Sequence, residues 1–155
     1  MIAVHARRAV RSTRGTLAIA LLTLVGVALG GCGGVTAPDL FVVQRSGSGP
    51  SAKLTLLVNE EGGVTCNGAA KISGRKLKLS DSQLVQARAI QEDLHDSASE
   101  HMSLAPGPKT VLSYRVRDEA GTVSFSDTSA GQPAVLRQLA LFVLRAAQQV
   151  CRLPE

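Results

Sequence analysis

Residues 17–29, "LAIALLTLVGVAL", form an apolar run of 13, and that length decides how much of the chain is left to fold. A helix that crosses a bilayer needs about 20 apolar residues, whereas the hydrophobic segment of an export signal needs about 7–15. Arg7, Arg8, Arg11 and Arg14 precede the run, no acidic residue occurs before Cys32, and Gly30 and Gly31 follow it. Basic segment, apolar segment and small residues, in that order, read as an export signal over residues 1–31. The rest of the chain is then expected to fold outside the cytoplasm. Arg7-Arg8 lacks the surroundings of a twin-arginine signal, so the general secretory route is expected.

The end of this leader carries more specific chemistry. Leu29-Gly30-Gly31-Cys32 resembles the lipobox of bacterial membrane lipoproteins, an aliphatic residue and two small residues before a cysteine. The resemblance implies a diacylglyceryl thioether on the Cys32 sulfur, cleavage between Gly31 and Cys32, and anchoring on the extracytoplasmic face of the cell membrane. A thiol is required because sulfur is the nucleophile that accepts the lipid. Small residues are required because the backbone must enter a narrow intramembrane protease. The amine freed at Cys32 is acylated as well in some bacteria. One acyl chain holds a protein only marginally and two hold it stably. Gly33 to Pro38 then forms a six-residue tether reaching at most about 20 Å, which keeps a domain over 39–155 close to the bilayer. A plain secretory signal or an uncleaved anchor is the alternative.

The net charge of +5 resides mostly in the leader. From Cys32 onward 13 basic residues face 12 acidic ones. A nucleic-acid footprint needs a clustered basic face, and Arg75, Lys76 and Lys78 are too few to make one. No nucleic-acid partner is expected.

With Cys32 assigned to lipid, Cys66 and Cys151 remain. An even pair in an oxidising compartment reads as a disulfide, with two free thiols as the alternative. Two distant cysteines without nearby histidine or cysteine do not supply the four ligands zinc prefers.

Within 39–155, "DLFVVQR", "AKLTLLVN" and "VTCN" read as strands, the last two joined by the turn "EEGG". "RKLKL" reads as a short strand or an extended lead-in. Ser80 followed by Gln83 is a capping box, and Leu84, Ala87, Ile90 and Leu94 give the stripe of an amphipathic helix that fades in "HDSASEH". A second hairpin, "TVLSYRVR" and "TVSFSD" about "DEAG", precedes a second helix. Pro133 suits its first position, and Leu136, Leu139, Val143, Ala146 and Val150 form its stripe. The expectation is an α+β fold in ββα-ββα order. Its antiparallel sheet has four to five strands, with both helices on one face and one disulfide. The likeness of "VNEEGGVTCN" and "VRDEAGTVSFSD" raises an internal duplication or convergent hairpins.

Candidate sites are few. Ser46 and Ser48 in "RSGSGP" miss the nucleophile-elbow spacing, and no phosphate-loop pattern occurs. Glu92, Asp93, His95, Asp96, Glu100 and His101 gather at a helix end without the HExxH spacing that sets two imidazoles on one face. Glu60-Glu61 and Asp118-Glu119 occupy turns. No catalytic residue, metal ligand or cofactor is assigned. On the second helix Leu141 projects outward among Arg137, Arg145 and Gln148, a candidate partner patch, with Leu144 at its margin.

Over 39–155, through "PDLFVV", "GTVSFSDTS" and "LALFVLRAAQQVC", the chain resembles a group of lipoproteins of high-GC Gram-positive bacteria. The resemblance implies an envelope location and no activity. The expected function is a lipid-anchored, non-catalytic domain that binds an envelope protein or a wall component. One alternative is an inhibitor of extracytoplasmic proteases, since "LTLLVNEEGGVTC" before a helix is similar to the subtilisin-inhibitor type. That family has two disulfides and a cysteine-braced reactive loop, which this sequence lacks. The other alternative is a small hydrolase or metal enzyme built around His95 and His101.

Overall fold

The computed structural model describes residues 37–49, 51–68 and 77–153. Its elements are β1 (Asp39–Gly47), β2 (Leu54–Asn59), β3 (Gly63–Asn67), β4 (Leu77–Lys78), α1 (Asp81–Ser99), β5 (Leu112–Arg117), β6 (Thr122–Ser126) and α2 (Ala134–Arg145). A π-helical turn, Ala146–Val150, continues α2. The architecture is α+β, with an antiparallel six-stranded sheet in the order β4-β3-β2-β1-β5-β6. Two expectations need correction. The sheet has six strands rather than four or five, because the lead-in at 77–78 pairs with β3. Four strands therefore precede α1, so the order is ββββα-ββα. Gly31 and Cys32, with the whole leader, lie outside the described residues. Among the described residues no helix is long and apolar enough to cross a membrane.

The first strand becomes central because both its edges are used. β1 pairs with its sequence neighbour β2 and, across α1, with β5. Its inward positions Phe41, Val43 and Arg45 alternate with Val42, Gln44 and Ser46, the period of a strand with one face covered. Inward residues of the other strands (Leu54, Leu56, Val58, Val64, Cys66, Tyr114, Val116, Val123, Phe125) continue that face, and both helices contribute to the same core. At the outer edge of β6, the Ser124 amide donates to the Met102 carbonyl and the Leu104 amide to the Ser124 carbonyl, both at 2.9 Å. That segment covers an edge that would otherwise be open to pairing.

α1 begins where the capping box foretells. The Gln83 amide donates to Ser80 Oγ at 3.3 Å and the Ser80 amide to Gln83 Oε1 at 2.9 Å. Ser80→Ala should lower the unfolding free energy by about 1 kcal/mol, the usual cost of losing such a cap, as read by urea denaturation. The helix runs on through "HDSAS" to Ser99 rather than fading there, because Leu94, Ser97 and Ala98 are buried against the core. Pro133 stands just outside α2, as its N-cap, rather than at its first helical position.

The turns of the two hairpins are bonded alike. Asn59 Oδ1 accepts from the amides of Glu61 and Gly63 at 3.1 and 2.6 Å. Asp118 Oδ1 accepts from those of Ala120 and Gly121 at 2.8 and 2.9 Å. In both, a short polar side chain bonds its own turn, although Asn59 stands against Arg117, not Asp118, when the two stretches are matched.

The π-helical turn brings the chain's end back to the sheet. The Cys151 amide donates to the Ala146 carbonyl at 2.9 Å, and Cys151 is bonded to Cys66 of β3, with 5.9 Å between their Cα atoms. The expected disulfide is present, and it ties the end of the helical segment to a strand.

Candidate functional site: a groove around a buried arginine

Arg45 is the only charged side chain buried among the described residues, at 6% exposure. It stands on the core face of β1, opposite Leu54 of β2 and Tyr114 of β5. A cation taken from water is strongly disfavoured unless it is paired. Here the partners are backbone carbonyls: Nη2 donates to Ser51 O at 2.6 Å and Nε to Ala52 O at 3.3 Å. No carboxylate pairs with it among the described residues, and Nη1 has no acceptor there. Burial pulls the guanidinium below its usual pKa, with Tyr114 opposing weakly, yet an arginine stays charged in a protein.

Beside Arg45 lies a groove of about 250 Å³. Its walls come from Val111 and Leu112 entering β5, exposed Leu144 of α2, buried Ala147 of the π-helical turn, and Leu153 beyond the disulfide. Val111 and Leu144 are two of the four large apolar side chains left substantially exposed among the described residues, at 51% and 42%. Ser48 and Gln148 supply polar edges. Leu153 is turned in by the left-handed backbone of Arg152 and by its amide, which donates to Ala147 O at 2.9 Å. Gly47 lets β1 and β5 close at the rim, since a Cβ there would collide with the Val111 carbonyl oxygen.

Tyr114 stacks on Phe125 with ring centroids 4.9 Å apart. Burial pushes its pKa up, Arg45 pulls it down less strongly, and Asp127 adds to the rise. It is the chain's single tyrosine, so an alkaline absorbance titration reads it alone. Half-ionisation should come above the value of about 10 found for a free phenol. Unfolding free energy should fall as the pH passes about 10, because the unfolded chain releases its phenolic proton first. Coincidence with the denatured chain would mean that this ring is solvated.

The sequence candidates fall elsewhere. Arg137, Leu141 and Arg145 are exposed on α2, but none lines the groove. Arg137 Nη1 donates to Gln132 O at 2.7 Å, and Arg145 borders a separate depression with Gln83, Gln86 and Gln149. Glu92, His95 and Asp96 line a polar depression of about 570 Å³ with Glu60 and Arg88, near Leu40 at the start of β1. Arg88 Nη2 donates to Glu60 O at 2.8 Å. His101 lies at the turn after α1, against Gly121. No three His, Cys, Asp or Glu side chains gather to hold a metal ion among the described residues. Ser46 is the exposed penultimate residue of β1, and the Ser48 amide donates to Val111 O at 3.1 Å. The disulfide joins a strand to a helix end and braces no loop.

Arg45 was missed as a site residue, although its signal was in the letters. Continuing the alternation Phe41, Val43 by one step sets Arg45 on the covered face. Comparison with protein-family models, with curated proteins and with solved structures finds no match for this chain.

Proposed function

We propose that the chain is a lipid-anchored protein of the extracytoplasmic membrane face whose domain binds a partner through the Arg45 groove and performs no catalysis. The observation that carries the binding role is a buried cation without a carboxylate partner among the described residues, set in a groove rimmed by exposed Val111 and Leu144. Maintaining that arrangement in the free protein costs stability, and an anionic partner relieves the cost. The anchoring role is supported by the lipobox-like residues at Cys32, and the Cys66–Cys151 disulfide agrees with an oxidising compartment.

Geometry makes the two roles compatible. β1 has nine residues at about 3.3 Å each, so Asp39, next to the tether, and Gly47, at the groove, stand about 26 Å apart.

Lipid labelling tests the anchor. Radiolabelled palmitate should enter the wild-type protein, and Cys32→Ser should abolish labelling and cleavage at Gly31. An uncut wild-type chain with a bare Cys32 thiol in its mass spectrum overturns the anchoring role. In-cell crosslinking tests the binding role. Leu144→Glu should remove the crosslinked partner while Leu141→Glu retains it, and equal crosslinking in both variants overturns the role given to the groove.

A further inference from the structure

We propose that the groove captures the C-terminal residue of a peptide, with Arg45 receiving the free carboxylate and the apolar walls receiving a branched aliphatic side chain. The proposal rests on reading the groove as the binding surface, and it does not depend on the lipid anchor.

Three observations set the ligand class. The first is charge. Arg45 uses Nε and Nη2 on backbone carbonyls and has no protein acceptor for Nη1 among the described residues, so a guanidinium edge is left for an anion. Such donors bind carboxylates through short charge-assisted hydrogen bonds.

The second is size. A groove of about 250 Å³ lies just below the usual range for drug-sized ligands, about 300–1,000 Å³, which suits one terminal residue better than a larger ligand.

The third is the chemistry of the walls. Val111, Leu112, Leu144 and Leu153 give an apolar seat, while Ser48 and Gln148 stand at the edge. A peptide carries an amide immediately before its terminal residue, and that amide gives the polar edge something to bond. Capture of a terminal carboxylate is an established mode of peptide recognition, built here from a buried side chain in place of a backbone nest.

The test uses the full-length processed protein in detergent and fluorescein-labelled hexapeptides, Gly-Ser-Gly-Ser-Ala-Leu with a free carboxylate, the same peptide amidated, and one ending in Gly. Fluorescence anisotropy should show the free acid binding at least tenfold more tightly than the amide, in line with the strength of hydrogen bonds to charged groups. The Gly-terminated peptide should bind about tenfold more weakly, having lost a buried side chain. In Arg45→Met the acid and the amide should bind alike. Should that variant fail to fold, Leu144→Glu sets a negative charge at the exposed rim and should weaken the acid more than tenfold. Octanoate in hundredfold excess should leave the peptide bound.

Equal binding of acid and amide by the wild type overturns the proposal, as does no binding of the acid at millimolar peptide. Displacement by octanoate at equal concentration overturns it in favour of a fatty carboxylate. Failure of every peptide, while Leu144→Glu still removes the crosslinked partner in cells, refutes the ligand class and leaves the groove as the binding surface.

Discussion

Replacing Cys66 and Cys151 together with alanine should lower the unfolding free energy by about 4–5 kcal/mol. The two residues lie 85 apart in sequence, and a bridge closing a loop of that order restricts the unfolded chain by about that amount on the chain-entropy account. Domains of this size are stable by only about 5–15 kcal/mol, so the variant should be marginal at 37 °C. In urea, where the dependence is about 1–3 kcal/mol per molar, the midpoint should fall by about 2 M. The same fall should follow treatment of the wild type with a phosphine reductant. An unchanged midpoint would show that the two thiols are not joined.

The position of the bridge makes a local consequence follow as well. Leu153, two residues past Cys151, forms part of the groove wall. Freed from β3, the last turn loses the tie that holds it against the sheet. Peptide binding should therefore weaken under reductant before the domain unfolds.

Much of this architecture was legible in the letters, and what was hidden has identifiable physical causes. Local signals were sufficient wherever neighbouring residues make the structure. The capping box at Ser80 and Gln83, the stripe Ala87, Ile90 and Leu94, and the inward pair Val123 and Phe125 all stand where periodicity put them. Pairing across long stretches of sequence was not legible. Nothing in "DLFVVQR" announces that its second edge meets β5, nearly seventy residues away, because hydrogen bonding between strands is made by backbone groups that every residue carries. The length of α1 was underestimated for a related reason. Ser97 and Ala98 are small residues that look like loop letters, yet both are buried.

The site was hidden by its own logic. An arginine in a strand is ordinarily assigned to the solvated face, so a charge on the core face conflicts with the binary pattern, and such conflicts collect at functional positions. The α2 surface shows the complementary error. Counting helix faces found Leu141 exposed, at 52%, but exposure alone does not make a groove. Leu144, one turn further and less exposed, shares the groove with Val111 and Leu112 at the start of β5, which no helical count contains. The π-helical turn then adds Leu153 by wrapping the chain's end around the same space.

Phe41→Ala should be the most damaging single core substitution, costing about 4–5 kcal/mol, with Phe142→Ala costing about 3 kcal/mol, within the range for a phenylalanine truncated in a packed interior. The chain has only three phenylalanines, and two of them, Phe41 of β1 and Phe142 of α2, meet in the core. The rings of Phe41 and Phe142 lie edge to face, with centroids 5.9 Å apart and planes at 85°. Phe41 is wholly enclosed, and its loss leaves a void lined by apolar side chains that stays dry, with the full cavity term. Phe142 borders the depression where Gln83 Nε2 donates to Gln149 Oε1 at 3.1 Å. Its removal opens a space that those polar side chains and water can enter, which reduces the cost. Because an aromatic pair contributes about 0.5–1.5 kcal/mol beyond its buried area, the double variant should be less destabilised than the sum of the singles by about 1 kcal/mol in urea denaturation. Additivity within 0.3 kcal/mol or so would show that the edge-to-face contact adds nothing to burial. A larger cost for Phe142→Ala than for Phe41→Ala would show that its depression closes over the ring in solution.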